Sequence, residues 1–207
     1  MFSLLYNQRL ASIAQWNPWT WIALIFASQV FGALLIASAF GIDLGELGIS
    51  IWLLVVGTLH AIANAFWARA DEHSKQNWVP ALVYAAFIIS MSHRSLKGIH
   101  VPINVNLFHP LEYAVLAIFF CWMGNTMILS GRIRPLLLRV ISGGLVFAVV
   151  DEFHQFFIPG RTASLVDLLL DFIGLCLGCG LFLIGRHLRN EFANKPAATL
   201  ASPCKPT

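Results

Sequence analysis

Charge is scarce in this chain. Lys, Arg, Asp and Glu make up 11% of its 207 residues, where a soluble domain averages about 25%. That shortage excludes a solvated surface over most of the molecule. With 58% apolar residues and a mean hydropathy of +0.74, a polytopic membrane protein is the class that fits. Cysteine is nearly absent too. Cys121, Cys176 and Cys179 lie in apolar runs and Cys204 in a polar tail, so no disulfide framework is implied. Cys176-x-x-Cys179 reads as two small packing residues, not a redox pair. The chain also lacks a phosphate-binding glycine loop, a GxSxG elbow, an HExxH helix and any internal repeat. A net charge of +3 in a membrane protein reflects basic cytoplasmic loops and gives no reason to expect nucleic acid.

Long apolar runs are abundant. Six segments approach the roughly 20 residues that a bilayer requires: Trp19–Phe40, Leu47–Trp67, Trp78–Met91, Leu107–Leu129, Pro135–Phe157 and Leu165–Gly185. The third is short and has Pro80 near its start, which suits a first helical turn. Trp16, Trp19, Trp21, Trp67 and Trp78 stand at segment ends, as interfacial anchors do. The expected fold is all-α, a membrane bundle of about six transmembrane helices. It divides into an N-terminal segment and accessory hairpin (1–77), a four-helix domain (78–189) and a disordered tail (190–207). Ala37-Ser38-Ala39 resembles a cleavage site, but the apolar run before it is longer than a signal h-region, so the segment is read as retained.

One alternate set of loops and flanks holds Arg9, Arg69, Lys75, Arg132, Arg134, Arg139, Arg186, Arg189, Lys195 and Lys205. The other holds only Arg94, Lys97 and Arg161. The positive-inside bias then sets both termini in the cytoplasm and turns the end of segment five outward.

That outward end carries the polar residues. Asp151-Glu152-Phe153-His154-Gln155 continues an apolar helix, and Pro159-Gly160-Arg161 follows. A carboxylate at the centre of a membrane helix costs roughly 2.5–3.5 kcal/mol on insertion scales, so it normally has a partner or a task. Asp151, His154 and Gln155 share a helix face, while Glu152 projects about 100° away and is not expected to share a partner with Asp151. Pro159-Gly160 ends the helix, and Arg161 is placed to fold back over it. Ser164 is a candidate N-cap for segment six, with Asp167 completing a capping box. Asp167, Asp171, Gly174 and Gly178 form one stripe, expected to pack on the Asp151 face. On the same outer side, segment four opens with His109, Glu112 and Tyr113, and segment three ends with Ser90, Ser92, His93 and Arg94.

Two readings stand side by side. The polar groups are ion pairs locking helices five and six together, or they form a site in which His154 is a general base oriented by Asp151. In the second, Glu152 contributes to the chemistry and Arg161 holds a phosphate or carboxylate in its donor fork. His109, Glu112, Tyr113, Gln155, Asp167, Asp171 and Arg94 would then bind the substrate. No cofactor and no metal are expected, since metal-ligand spacings are lacking. His60 and Asn64, one turn apart in segment two, are expected to hydrogen-bond to a neighbouring helix in preference to ligating haem.

Through these residues the chain resembles the VanZ-like family of bacterial membrane proteins. The shared pattern takes in Ser90, then His109, Tyr113 and Leu116, then Asp151, Glu152, His154, Gln155, Pro159, Gly160 and Arg161, and finally Asp167, Gly174 and Gly178. It covers about residues 80–188 and leaves the N-terminal hairpin outside. Where the family has an Asp-Lys pair this chain has Val105-Asn106, and where it has Asn this chain has Asp171. The site is therefore more acidic, and Lys97 or Arg94 would have to replace the missing lysine. The resemblance implies a role in the cell envelope, in the bacterial cytoplasmic (inner) membrane, with a link to glycopeptide antibiotic resistance. It implies as partners a membrane lipid or a lipid-linked cell-wall precursor, but no defined reaction. The alternatives are a non-catalytic subunit of a membrane complex and, less well matched, an ion-coupled transporter.

Overall fold

The computed structural model describes residues 17–45, 47–67, 77–94, 108–124, 127 and 130–194. Their regular structure is six helices: α1 Pro18–Phe40, α2 Gly48–Trp67, α3 Val79–Ser92, α4 His109–Met123, α5 Ile133–Gln155 and α6 Leu165–Asn194. The all-helical expectation holds. Local chemistry sets the ends. Asn17 caps α1 by accepting a hydrogen bond from the Trp19 amide (3.1 Å) with Pro18 in the first turn, and Gly41 closes it in the left-handed region (φ 65°).

Helices α1, α2, α5 and α6 are long and apolar enough to cross a membrane. Helices α3 and α4 have 14 and 15 residues and reach only about 22 Å at 1.5 Å per residue, short of a ~30 Å hydrocarbon core. Of the expected span Leu107–Leu129, the described helix covers His109–Met123, and residues 107, 125–126 and 128–129 lie outside the described residues. Gly124 ends the helix, at a point where a β-carbon would strike Leu136 of α5. Helix α6 departs in the other direction. It continues to Asn194, through the helix-favouring Arg186, Leu188 and Arg189, into what was expected as a tail. Residues 195–207 lie outside the described residues.

The bundle core is aromatic. Phe26 of α1 stacks on Phe119 of α4 (ring centroids 5.0 Å apart), and Tyr84 of α3 meets Phe119 edge-on at 5.4 Å. Gly57 of α2 leaves the space that the Phe26 ring fills. The N-terminal hairpin is therefore seated in the same core as the remaining helices. Trp21, Trp67 and Trp78 are exposed as anchors should be, but Trp19 is buried against Trp122 and His60. Trp16 lies outside the described residues. His60 does not reach a neighbouring helix through Asn64, because the Asn64 amide donates within α2, to the His60 carbonyl (2.9 Å) and to the His60 ring (3.2 Å).

Only 22–28% of each candidate span is buried within the chain. The outward remainder is apolar, including Phe31, Trp52, Leu138 and Leu181, as a lipid-facing surface must be.

Candidate functional site

Helix α4 packs most extensively on α6. The cause is the glycine stripe of α6. A β-carbon on Gly174 would strike the backbone of Pro110, and one on Gly178 the carbonyl of Ala114, so only glycine permits this approach. The stripe was expected against α5. It lies on α4 instead, because α4 offers small residues, Ala114 and Ala117, where the glycines need them. Contact with α5 is made on an adjoining face at the same height, where Leu175 fills the space left by Gly144.

This packing brings four helix ends together. From α3 comes Ser92, whose hydroxyl donates to Asp151 Oδ2 at 2.8 Å. From α5 come Asp151, Glu152 and Gln155, all buried. The Gln155 amide nitrogen donates to Asp151 Oδ2 (3.1 Å) and also to Glu152 Oε1 (3.3 Å). The two acids thus share a partner despite pointing apart at Cβ. Gln155 stands four and three residues beyond them, and the longer Glu152 side chain bends back to meet it. From α4 comes His109, whose Nδ1 donates to Asp171 Oδ1 of α6 at 2.9 Å.

The connection between α5 and α6 binds the group together. Gly160 adopts φ 88°, a left-handed turn that a side chain would strain, and it sends Arg161 back across the bundle end. Arg161 donates to the Gln155 side-chain oxygen (3.3 Å) and to the carbonyls of Met91 (3.1 Å) and Arg94 (3.3 Å). Arg94 in turn donates to Ser50 of α2 at 3.2 Å. Ser164 caps α6 as expected, accepting from the amides of Val166 and Asp167. The reciprocal half of the capping box is not made by Asp167. Glu152 reaches over from α5 and accepts the Ser164 amide through Oε2 at 2.8 Å.

His154 is not held by Asp151. It stands at the rim, half-exposed, stacked on the exposed His93 with Nε2 3.2 Å from His93 Nδ1. The expected Asp151–His154 pairing does not form: Asp151 is buried inside the bundle, with Ser92 and Gln155 on its Oδ2, while His154 turns to the rim and His93. Beside the histidine pair, Phe153, Phe156 and Phe157 are each about two-thirds exposed. Glu112 is half-buried, within electrostatic reach of His109, Asp151, Asp171 and Arg161. Lys97, Val105 and Asn106 lie outside the described residues.

Among the described residues, four buried oxygens of this group have no hydrogen-bond partner: Asp151 Oδ1, Asp167 Oδ1, Asp171 Oδ2 and the Tyr113 hydroxyl. Buried polar atoms are nearly always partnered, so this end of the bundle is unsatisfied as it stands. His109, Glu152 and Asp171 each offer one ligand atom, all within 4.8 Å of one another. The sequence reading did not select Ser92 or His93 for the site. The signal available was their place beside Arg94 at the same end of the bundle.

The family model described as VanZ/LLP1 matches residues 7–186. The match takes in the N-terminal hairpin that the resemblance had left outside. No curated protein and no solved structure gives a match.

Proposed function

The chain belongs to the VanZ/LLP1 family, and from that premise we propose that this membrane protein binds or modifies the polar headgroup of a membrane lipid or lipid-linked cell-wall precursor. The site is the outward bundle end formed by Asp151, Glu152, His154, Gln155 and Arg161, with His109, Glu112, Tyr113, Asp167, Asp171 and Arg94 around it. The observation that carries this reading is the rim. An accessible pair of histidines, His93 and His154, adjoins three exposed phenylalanines on the same turns. Aromatic side chains of that kind sit at the lipid interface, where a neighbouring polar pair meets headgroups. With Asp151 engaged elsewhere, His93 is the group that orients His154. The setting is the bacterial inner membrane with cytoplasmic termini, as the distribution of basic residues favours, and the envelope location accords with a part in glycopeptide resistance.

A second reading has its own observation. Asp151, Glu152, Gln155, Asp167, Asp171 and His109 are buried within the chain, which suits ion pairs and hydrogen bonds that lock helices for a structural or accessory subunit.

One experiment separates the two. Native mass spectrometry of the full chain released from bacterial membranes would count bound lipids for wild type, H93A, H154A and S92A. Headgroup binding predicts that H93A and H154A lose lipid while accumulating normally. If S92A alone lowers accumulation and neither rim variant changes lipid occupancy, the structural reading stands.

A further inference from the structure

We propose that His109, Glu152 and Asp171 form a binding site for one divalent transition-metal ion of the Zn²⁺ or Mn²⁺ class. The three side chains come from α4, α5 and α6, and their ligand atoms lie within 4.8 Å of one another. The pair already in contact has the right spacing. His109 Nδ1 and Asp171 Oδ1 are 2.9 Å apart, and two donors at that separation, each about 2.1 Å from an ion, subtend an angle of about 90°. Binding requires Nδ1 to give up the proton of this hydrogen bond, and the ion then lies to one side of the line joining the two donor atoms. Glu152 completes the set from the neighbouring helix by a side-chain movement of order 1 Å.

A second observation points to a ligand. Asp171 is 1% exposed and its Oδ2 has no partner among the described residues. Asp151, joined to Glu152 through Gln155, is 3% exposed and has an unpartnered Oδ1. The Tyr113 hydroxyl, one turn from His109 and in the field of Asp171, is also buried without a partner. A buried carboxylate group of this density must be neutralised, by bound protons or by positive charge. Arg161 does not supply it by contact, because its hydrogen bonds go to Gln155 and two carbonyls. A divalent ion does, and water completing its coordination provides the donors that the orphan oxygens lack.

The choice of metal follows from the donors. One imidazole nitrogen with two carboxylates is a mixed set that suits Zn²⁺, Mn²⁺ or Fe²⁺, whereas Mg²⁺ and Ca²⁺ favour oxygen alone. Three protein ligands leave positions open for water or a substrate oxygen, the arrangement of a metal centre that acts on a ligand.

The test uses the full chain in detergent, freed of any histidine tag, stripped with chelator and equilibrated with Zn²⁺ or Mn²⁺. Elemental analysis of the desalted wild type should give one ion per chain for at least one metal. X-ray absorption should show a single histidine in a shell otherwise made of oxygen. H109Q and D171N should each weaken binding by at least about tenfold, while H93A and H154A leave it unchanged. The inference fails if the wild type retains no stoichiometric ion, if the absorption spectrum shows two histidines or sulfur, or if the ion is lost in H93A and H154A but kept in H109Q. The absorption and stoichiometry readings need no variant to fold. They also stand apart from headgroup binding: an ion present with no lipid retained would sink the proposed function and leave the metal site intact.

Discussion

Replacing Gly178 by alanine adds one methyl group at the closest approach of α4 and α6. That β-carbon would fall 2.8 Å from both the Ala114 carbonyl carbon and the Ala117 Cβ, and nearer still to the Ala114 carbonyl oxygen, where ordinary contact begins at 3.4 Å. The obstruction is mostly backbone, so no rotamer change relieves it and the helices must separate by about an ångström. Overpacking of this kind costs about 1–3 kcal/mol. Gly180 is the internal control: it lies on the same helix, and a β-carbon there would meet nothing within 4 Å. Both substitutions gain the same intrinsic helix preference of alanine over glycine, about 1 kcal/mol, so their difference isolates the clash. We expect G178A to unfold with about 1–3 kcal/mol less stability than G180A in sodium dodecyl sulfate titrations from mixed micelles, followed by tryptophan fluorescence. An intermediate result is expected for G144A, which meets only the flexible Leu175 side chain. Equal stability of G178A and G180A would refute the backbone-contact account of this interface.

Further expectations concern the polar end. S92A removes one of the two donors to Asp151 Oδ2 and leaves Gln155 in place, so it should destabilise by about 0.5–1.5 kcal/mol, read by the same titration. E152A should cost about 1.5–3 kcal/mol and raise amide exchange at Ser164, whereas E152Q, which keeps an acceptor oxygen, should retain most of the protection. G160A forces a side chain into the left-handed region and should lose about 1–2 kcal/mol by thermal or detergent unfolding. In a C204S background, a membrane-permeant maleimide should modify the lipid-facing Cys176 slowly, for want of thiolate, but ahead of Cys121 and Cys179, which are buried with their sulfurs 3.9 Å apart. Mass spectrometry of the peptides would read the order.

The helices were legible because apolar length and terminal punctuation are local properties. Asn17-Pro18 and Gly41 bracket α1 by chemistry that depends on no other part of the chain. The convergence of polar groups at one bundle end was legible for the same reason, since alternating helices must return their polar ends to one side. What the sequence did not show was how side chains join there. A helical wheel places Cβ atoms, and it separates Asp151 from Glu152 correctly at that level. It does not follow the further bonds of Glu152, which carry its carboxylate to Gln155 and across to the Ser164 amide. Ser92 escaped selection because a serine at a helix end is ordinary, and its contact with Asp151 spans 59 residues. The early end of α4 was hidden because the apolar run continues past Met123.

The glycine stripe shows how close packing and site chemistry are one problem. Gly174 and Gly178 specify a near neighbour without naming it, and the neighbour is decided by which helix presents backbone behind small side chains. Ala114 and Ala117 on α4 meet that need. Their helix begins at His109, so docking at Pro110 and Ala114 necessarily sets the imidazole beside the first turns of α6, where Asp171 stands. The His109–Asp171 contact is therefore a consequence of two glycines further along the helix. A larger residue at either one would act on the polar end without touching it, separating a donor pair whose spacing is what suits it to hold an ion.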